Sequence, residues 1–156
     1  MKISDILQDI SHYVESPTLS FSVPIQMFEE VNGRHRYNAL IRGKVERKSG
    51  VYFWVDNGTG EIVYIGMAGS IKTDGRLSDH SIKERLLASR GKDRITGKDI
   101  QTNDYIHSMM KLSGMQTMDI NVMYAKEGEA PAYIEALAMN CFFKRHKRLP
   151  LMNKAF

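Results

Sequence analysis

Helical spacing and strand alternation divide this chain into a short series of elements. Ile3, Ile6, Leu7, Ile10, Tyr13 and Val14 recur at helical spacing until Pro17, which predicts an amphipathic N-terminal helix docked on the domain. Residues 19–28 read as irregular, with Pro24 arguing against a central strand, and residues 37–45 read as a strand. Two runs rich in β-branched and aromatic residues, 51–55 and 62–67, flank Asn57-Gly58-Thr59-Gly60 and predict a hairpin. A flexible loop over 66–75 leads to a helix that starts near Ser81, where Ser81-Ile82-Lys83-Glu84 has capping-box spacing, and stops at Gly91. Residues 103–112 predict a helix ended by Gly114, 119–125 a further strand, and 131–147 a last helix with Pro131 in its first turn. No repeat or linker divides the chain, so one domain covers 1–156.

The register of the hairpin decides its use. A two-residue Asn57-Gly58 turn would mix polar-tipped and aliphatic side chains on both faces. An odd loop of three or five residues sets Tyr52 opposite Tyr64 and separates the faces. One then carries Val51, Phe53, Val55, Val63, Ile65 and Met67, and is core; the other carries Tyr52, Trp54, Ile62, Tyr64 and Gly66. The odd loop is the expectation. Trp54 would then either stack a nucleobase or pack under the N-terminal helix.

Composition narrows the class only a little. With 42% hydrophobic and 26% charged residues the chain suits a folded domain rather than a disordered one. No apolar run reaches the roughly 18 residues of a membrane span, and the N-terminal stretch is too polar for a secretory signal. One cysteine, Cys141, rules out an internal disulfide framework and fits a reducing, cytoplasmic setting; it reads as a buried small hydrophobe. The formal charge of +4 permits a polyanionic partner without demanding one. No His/Cys set has zinc-ligand spacing, and His107 and His146 read as surface residues.

Gly50-Val51-Tyr52 followed by Tyr64-Ile65-Gly66 resembles the paired tripeptides of the GIY-YIG nuclease superfamily, with Val51 in place of an isoleucine. The resemblance extends over residues 50–153 and leaves 1–49 as an N-terminal extension packed on the core. It implies an α+β fold, a small three-stranded, mainly antiparallel sheet flanked by helices in the order ββαβα, with one extra helix inserted. It further implies an arginine on the first helix after the second tripeptide, best matched by Arg85, and a metal-binding glutamate on the last helix, matched by Glu135. Pro150 and Asn153 match a terminal Pro-x-x-Asn, with Asn153 orienting the site by hydrogen bonds. The spacing from Glu135 to Asn153 is longer than the family's. Met67 stands where some members carry a lysine, for which Lys72 or Lys83 are candidate substitutes.

These residue types suit hydrolysis of a phosphodiester. Arginine offers paired donors to a phosphate, and Mg²⁺ or Mn²⁺ needs only one or two carboxylates. The resemblance gives Tyr52 the role of base, a role its ordinary pKa near 10 allows only if cations beside it tune it. Tyr64, Arg85 and a lysine are candidates for that tuning. Glu135 is the only carboxylate after Pro131, bordering an apolar stripe; by itself it reads equally as a partly exposed acid paired with a base. His80 either caps a helix or reaches the site. Arg34, Arg36, Lys144, Arg145, Lys147 and Arg148 form two basic segments, read either as solvated surface or as phosphate contacts. The expected function is a divalent-metal-dependent endonuclease acting on DNA in preference to RNA, with no membrane partner and with homodimerisation as one source of specificity. The alternatives are a non-catalytic nucleic-acid-binding module on the same fold and a nuclease of RNA.

Overall fold

The computed structural model describes residues 1–154 and has the α+β architecture that the alternating helical and strand patterns imply. α1 (Ile3–Ile10) is followed by a 3-10 turn, β1 (Leu19–Pro24), α2 (Gln26–Glu29) and α3 (Gly33–Lys44). β2 (Gly50–Asp56) and β3 (Ile62–Ala68) form the hairpin, and α4 (Ile82–Leu87) follows it. β4 (Ser89–Lys92) and β5 (Asp99–Gln101) then precede α5 (Thr102–Ser113), β6 (Thr117–Tyr124) and α6 (Pro131–His146).

The main sheet has four strands rather than three, in the order β1-β6-β2-β3, and every neighbouring pair is antiparallel. The added strand is β1, which pairs with β6 along its whole length at the sheet edge. Pro24 ends it, so the missing N–H is lost only at its terminus. That is why a proline next to Phe21 and Val23 did not prevent a strand there.

Residues 37–45 form no strand. Gly33, Tyr37 and Ile41 recur every fourth residue and are the buried face of α3, so helical spacing prevails over the β propensity of the individual residues. α4 ends at Leu87, before Gly91, because Ser89–Lys92 turn away to pair with Asp99–Gln101. The loop after β3 is a small hairpin of its own, with an Ile71–Leu77 bridge and a Ser78 N–H to Ser70 carbonyl bond of 2.7 Å.

Helices cover both faces of the sheet. Tyr52, Trp54, Ile120 and Val122 meet Tyr37 and Ile41 of α3, Ile82 and Leu86 of α4, and Ile106 and Met110 of α5. On the other face Val51, Phe53, Ile65 and Met123 meet Ile6 and Ile10 of α1 and Ile134, Ala138 and Phe142 of α6. Both faces are therefore core, and the aromatic face is not an open platform. α1 docks against α6 as its amphipathic pattern requires. No helix among the described residues is long and apolar enough to cross a membrane.

Candidate functional site

The hairpin reaches its useful register by a route other than an odd loop. Its loop has four residues, Asn57 to Gly60, closed by the Asp56 N–H to Glu61 carbonyl bond of 2.9 Å. Alone, a four-residue loop would put Tyr52 and Tyr64 on opposite faces. The pairing passes from Val55↔Ile62 to Trp54↔Tyr64, so Val63 is the extra residue of a β-bulge. The bulge restores the parity. Tyr52 and Tyr64 share a face with ring centroids 5.8 Å apart, but Tyr52 lies opposite Gly66 and Tyr64 opposite Trp54, not each other. The bulge also reverses two expected positions: Val63 joins the aromatic face and Ile62 the opposite one.

The pairing explains Gly66. A Cβ there would lie 2.6 Å from the Tyr64 ring and 2.9 Å from the Tyr52 hydroxyl oxygen. Only glycine leaves room for both phenols on the face. Trp54 stacks on Tyr64 at 4.2 Å and is 0% exposed, so it is a floor beneath Tyr64 rather than a stacking partner for a base. It also lies on the sheet face away from α1.

β3 is the edge strand opposite β1, and Tyr64, Arg85 and Asn153 lie beside it. Asn153 binds that edge with both ends of its amide: Oδ1 accepts from the Ile65 N–H at 3.0 Å and Nδ2 donates to the Ile65 carbonyl at 2.8 Å. A turn closed by the Asn153 N–H to Pro150 carbonyl bond, and the Met152 N–H to Val63 carbonyl bond, hold it there. Asn153 thus positions the strand between Tyr64 and Gly66.

Three shallow openings run along this edge. The largest, about 280 Å³, is lined by Met67, Gly69, His80, Glu84 and Arg85. Arg85 also lines the next, with Tyr64 and Arg90; Tyr64 and Arg90 line the third, with Tyr105, Asn153 and Lys154. Arg85 is exposed rather than packed on the sheet, so its donors are free for a ligand. Glu135 belongs to α6, which packs on the other face of the sheet, with Pro131 of the same helix against Gly69. Burial raises the Glu135 carboxyl above its ordinary value, and the Arg85 charge pulls it back down. Glu135 has no salt bridge among the described residues.

Arg90 is the residue that sequence reasoning missed. Its Nη2 donates to the Tyr64 hydroxyl at 3.1 Å, and its guanidinium lies 4.8 Å from the Tyr64 ring centre and 4.6 Å from that of Tyr105. A helix assumed to continue to Gly91 would have turned Arg90 elsewhere. Its adjacency to Gly91, which takes φ 99°, was the available sign of a chain reversal.

Tyr52 is 1% exposed. Burial first, and then the neighbouring Tyr64 phenol, holds its pKa well above the ordinary value; Arg90 and Arg85 oppose this without overcoming it. Burial thus outweighs the opposing pull of the Arg90 and Arg85 charges on Tyr52. Burial raises Tyr37 as well. Below about pH 10 both phenols are neutral in folded and unfolded chains, and their stabilising contribution is complete. As pH rises, the unfolded chain ionises first and that contribution is lost. Urea unfolding is expected to show stability falling above about pH 10, and Tyr52→Phe should flatten part of the fall. An equal fall in the variant would mean that Tyr52 ionises freely within the fold.

The remaining candidates divide. His80 lies in the groove. Lys83 does not: its Nζ donates to the Arg42 carbonyl at 3.0 Å and ties α4 to α3. Lys72 is exposed on the small hairpin after β3. Arg36 pairs with Glu30 and Arg145 with Asp5 of α1, so each has a structural partner. Arg34, Lys144, Lys147 and Arg148 are exposed. The basic run begins nine residues beyond Glu135 on α6, roughly 13 Å along the helix. Among the described residues no group of three or more His, Cys, Asp or Glu side chains is arranged to hold a metal ion. Comparison with family models, curated proteins and solved structures found no match to this chain.

Proposed function

We propose that this chain is a divalent-metal-dependent endonuclease that hydrolyses phosphodiester bonds of DNA. The observation that carries the reading is that Tyr64 and Arg85 line one opening beside a strand edge held by Asn153, with Glu135 of α6 near enough to Arg85 to feel its charge. The order β2, β3, α4, α5, β6, α6, with a hairpin between the two middle helices, also follows the ββαβα order with one added helix that the resemblance implies.

Each job of the reaction has a residue suited to it. Arg85 binds the phosphate through paired N–H donors. Tyr64, its oxygen already accepting from Arg90, stands nearer solvent than Tyr52 and passes the proton of the attacking water on to solvent. Tyr52, buried and neutral, holds Tyr64 in place from behind, so the direct role moves from Tyr52 to Tyr64. Glu135 fits a hard divalent ion: it is a half-buried oxygen donor without a salt bridge, and Mg²⁺ sites often use a single carboxylate. When bound there, Mg²⁺ or Mn²⁺ supplies Lewis acidity at the phosphate and leaving oxygen. The shallow, open groove suits a polymer lying across the surface better than an enclosed small molecule.

A second reading, a nucleic-acid-binding module without catalysis, draws on the raised pKa of buried Tyr52. One assay separates the readings: purified protein with supercoiled plasmid, single-stranded DNA or RNA, each with Mg²⁺, Mn²⁺ or EDTA. Metal-dependent nicking of plasmid is the expected result. Cleavage of RNA alone would change the substrate, and binding without cleavage of any substrate would establish the second reading.

A further inference from the structure

Beyond Arg90, the β4–β5 hairpin is absorbed by neither the core nor the proposed chemistry. All four residues of β4 are exposed, and Ile95 at the tip is 95% exposed, the highest of the exposed large hydrophobics. An apolar side chain so placed is stabilised by nothing within the chain. Yet the tip is a built turn. The Asp93 carboxylate accepts from the Ile95 N–H at 2.9 Å and the Thr96 N–H at 2.7 Å, and the Asp93 carbonyl accepts from the Gly97 N–H at 2.9 Å. Asp93, occupied in this way, presents Arg94, Ile95 and Lys98 outward.

The charge of the tip is basic. Neither Arg94 nor Lys98 has a salt-bridge partner among the described residues. Lys92, opposite Asp99 in the hairpin register, lies below the tip. The base of the hairpin holds Arg90, which is stacked on Tyr64 and Tyr105 in the candidate groove. The tip is therefore an extension of the groove, basic at two points with an aliphatic residue between them.

We propose that this hairpin is an arm that grips duplex DNA beside the cleavage position: Arg94 and Lys98 contact phosphates, and Ile95 enters the minor groove between them. The chemistry is that of other minor-groove proteins, in which basic residues follow the backbone and an aliphatic wedge partly unstacks a base step. The inference rests on the reading of DNA as substrate and assigns that substrate's duplex form. It gives sequence-tolerant contacts, since phosphates carry no base code.

The test measures binding of a short duplex and of its single strand at several salt concentrations, with EDTA present to prevent cleavage. Arg94→Ala/Lys98→Ala is expected to reduce the slope of log affinity against log salt by about 2 on duplex, at roughly 0.9 for each phosphate contact. Ile95→Ala should weaken duplex binding about tenfold with the slope unchanged, and leave single-strand binding alone. A duplex carrying 2-aminopurine along its length should brighten with the parent chain and not with Ile95→Ala. These side chains are exposed, so circular dichroism and Tm should match the parent. If the parent binds duplex and both variants behave as it does, the arm is overturned while plasmid cleavage by the parent still upholds the nuclease reading. If the parent binds no duplex at any salt, both fall.

Discussion

Glu135→Gln is expected to cut duplex DNA on the order of a hundred- to a thousandfold more slowly than the parent chain while binding it as tightly or more tightly. The substitution is nearly isosteric and removes one negative charge near Arg85, the residue proposed to bind the phosphate. Losing a transition-state interaction of about 3–4 kcal/mol gives a rate loss of that size. Stability provides the control. Burial raises the Glu135 pKa, so the fold prefers the protonated carboxyl. The associated stabilisation is present below the ordinary glutamate pKa and lost as pH rises through the raised value, so at neutral pH the charged form strains the fold. A neutral glutamine therefore should leave Tm unchanged or raise it. Arg85→Ala should weaken both cleavage and binding, because it removes a phosphate contact present before the chemical step. A Glu135→Gln protein that cuts at nearly the parental rate would place the metal ligand elsewhere and bring the non-catalytic reading forward.

Gly50→Ala is expected to lower stability by at least about 3 kcal/mol, a fall in Tm of roughly 6–12 °C for a chain of this length. A Cβ at Gly50 would collide with the Met123 carbonyl of β6 and come within 2.8 Å of the Tyr124 Cα. These are backbone atoms of the paired strand, so no rotamer change relieves the contact. Gly66→Ala meets side chains instead, the two phenols, which can shift at the cost of the groove's geometry. It should cost about 1–3 kcal/mol and reduce cleavage more than its stability loss explains. Thermal melts with plasmid nicking separate the two cases. Equal and small effects at both glycines would mean that the strands part more readily than their pairing implies.

The elements most legible in the chain were those whose pattern is local. α1, α5 and α6 follow from helical spacing and their ends: Gly114, at φ 72°, closes α5, and Pro131 opens α6. β2, β3 and β6 follow from alternation and β-branched content. The Ser81–Glu84 capping box was readable because its reciprocal bonds lie within four residues. α3 carried a readable four-residue spacing at Gly33, Tyr37 and Ile41, obscured by the aromatic and aliphatic residues that also favour strands. For the candidate site, the chain supplied the residue types but not which of two tyrosines faces the groove.

By itself the sequence determined the helices and the central strands, because side-chain periodicity is a property of neighbouring residues. The pairing of β2 with β3 as a hairpin also followed from it, but not the shared face of Tyr52 and Tyr64, because that parity rests on the bulge at Val63. Tertiary structure alone decided the rest. The bulge at Val63 depends on how β3 pairs, and β1 is a strand because β6 offers it an edge. Tyr52 is buried because α3, α4 and α5 cover its face, a matter of packing that no local pattern encodes. Arg90 reaches Tyr64 because β4 turns back to pair with β5, and that pairing is made between residues about ten positions apart.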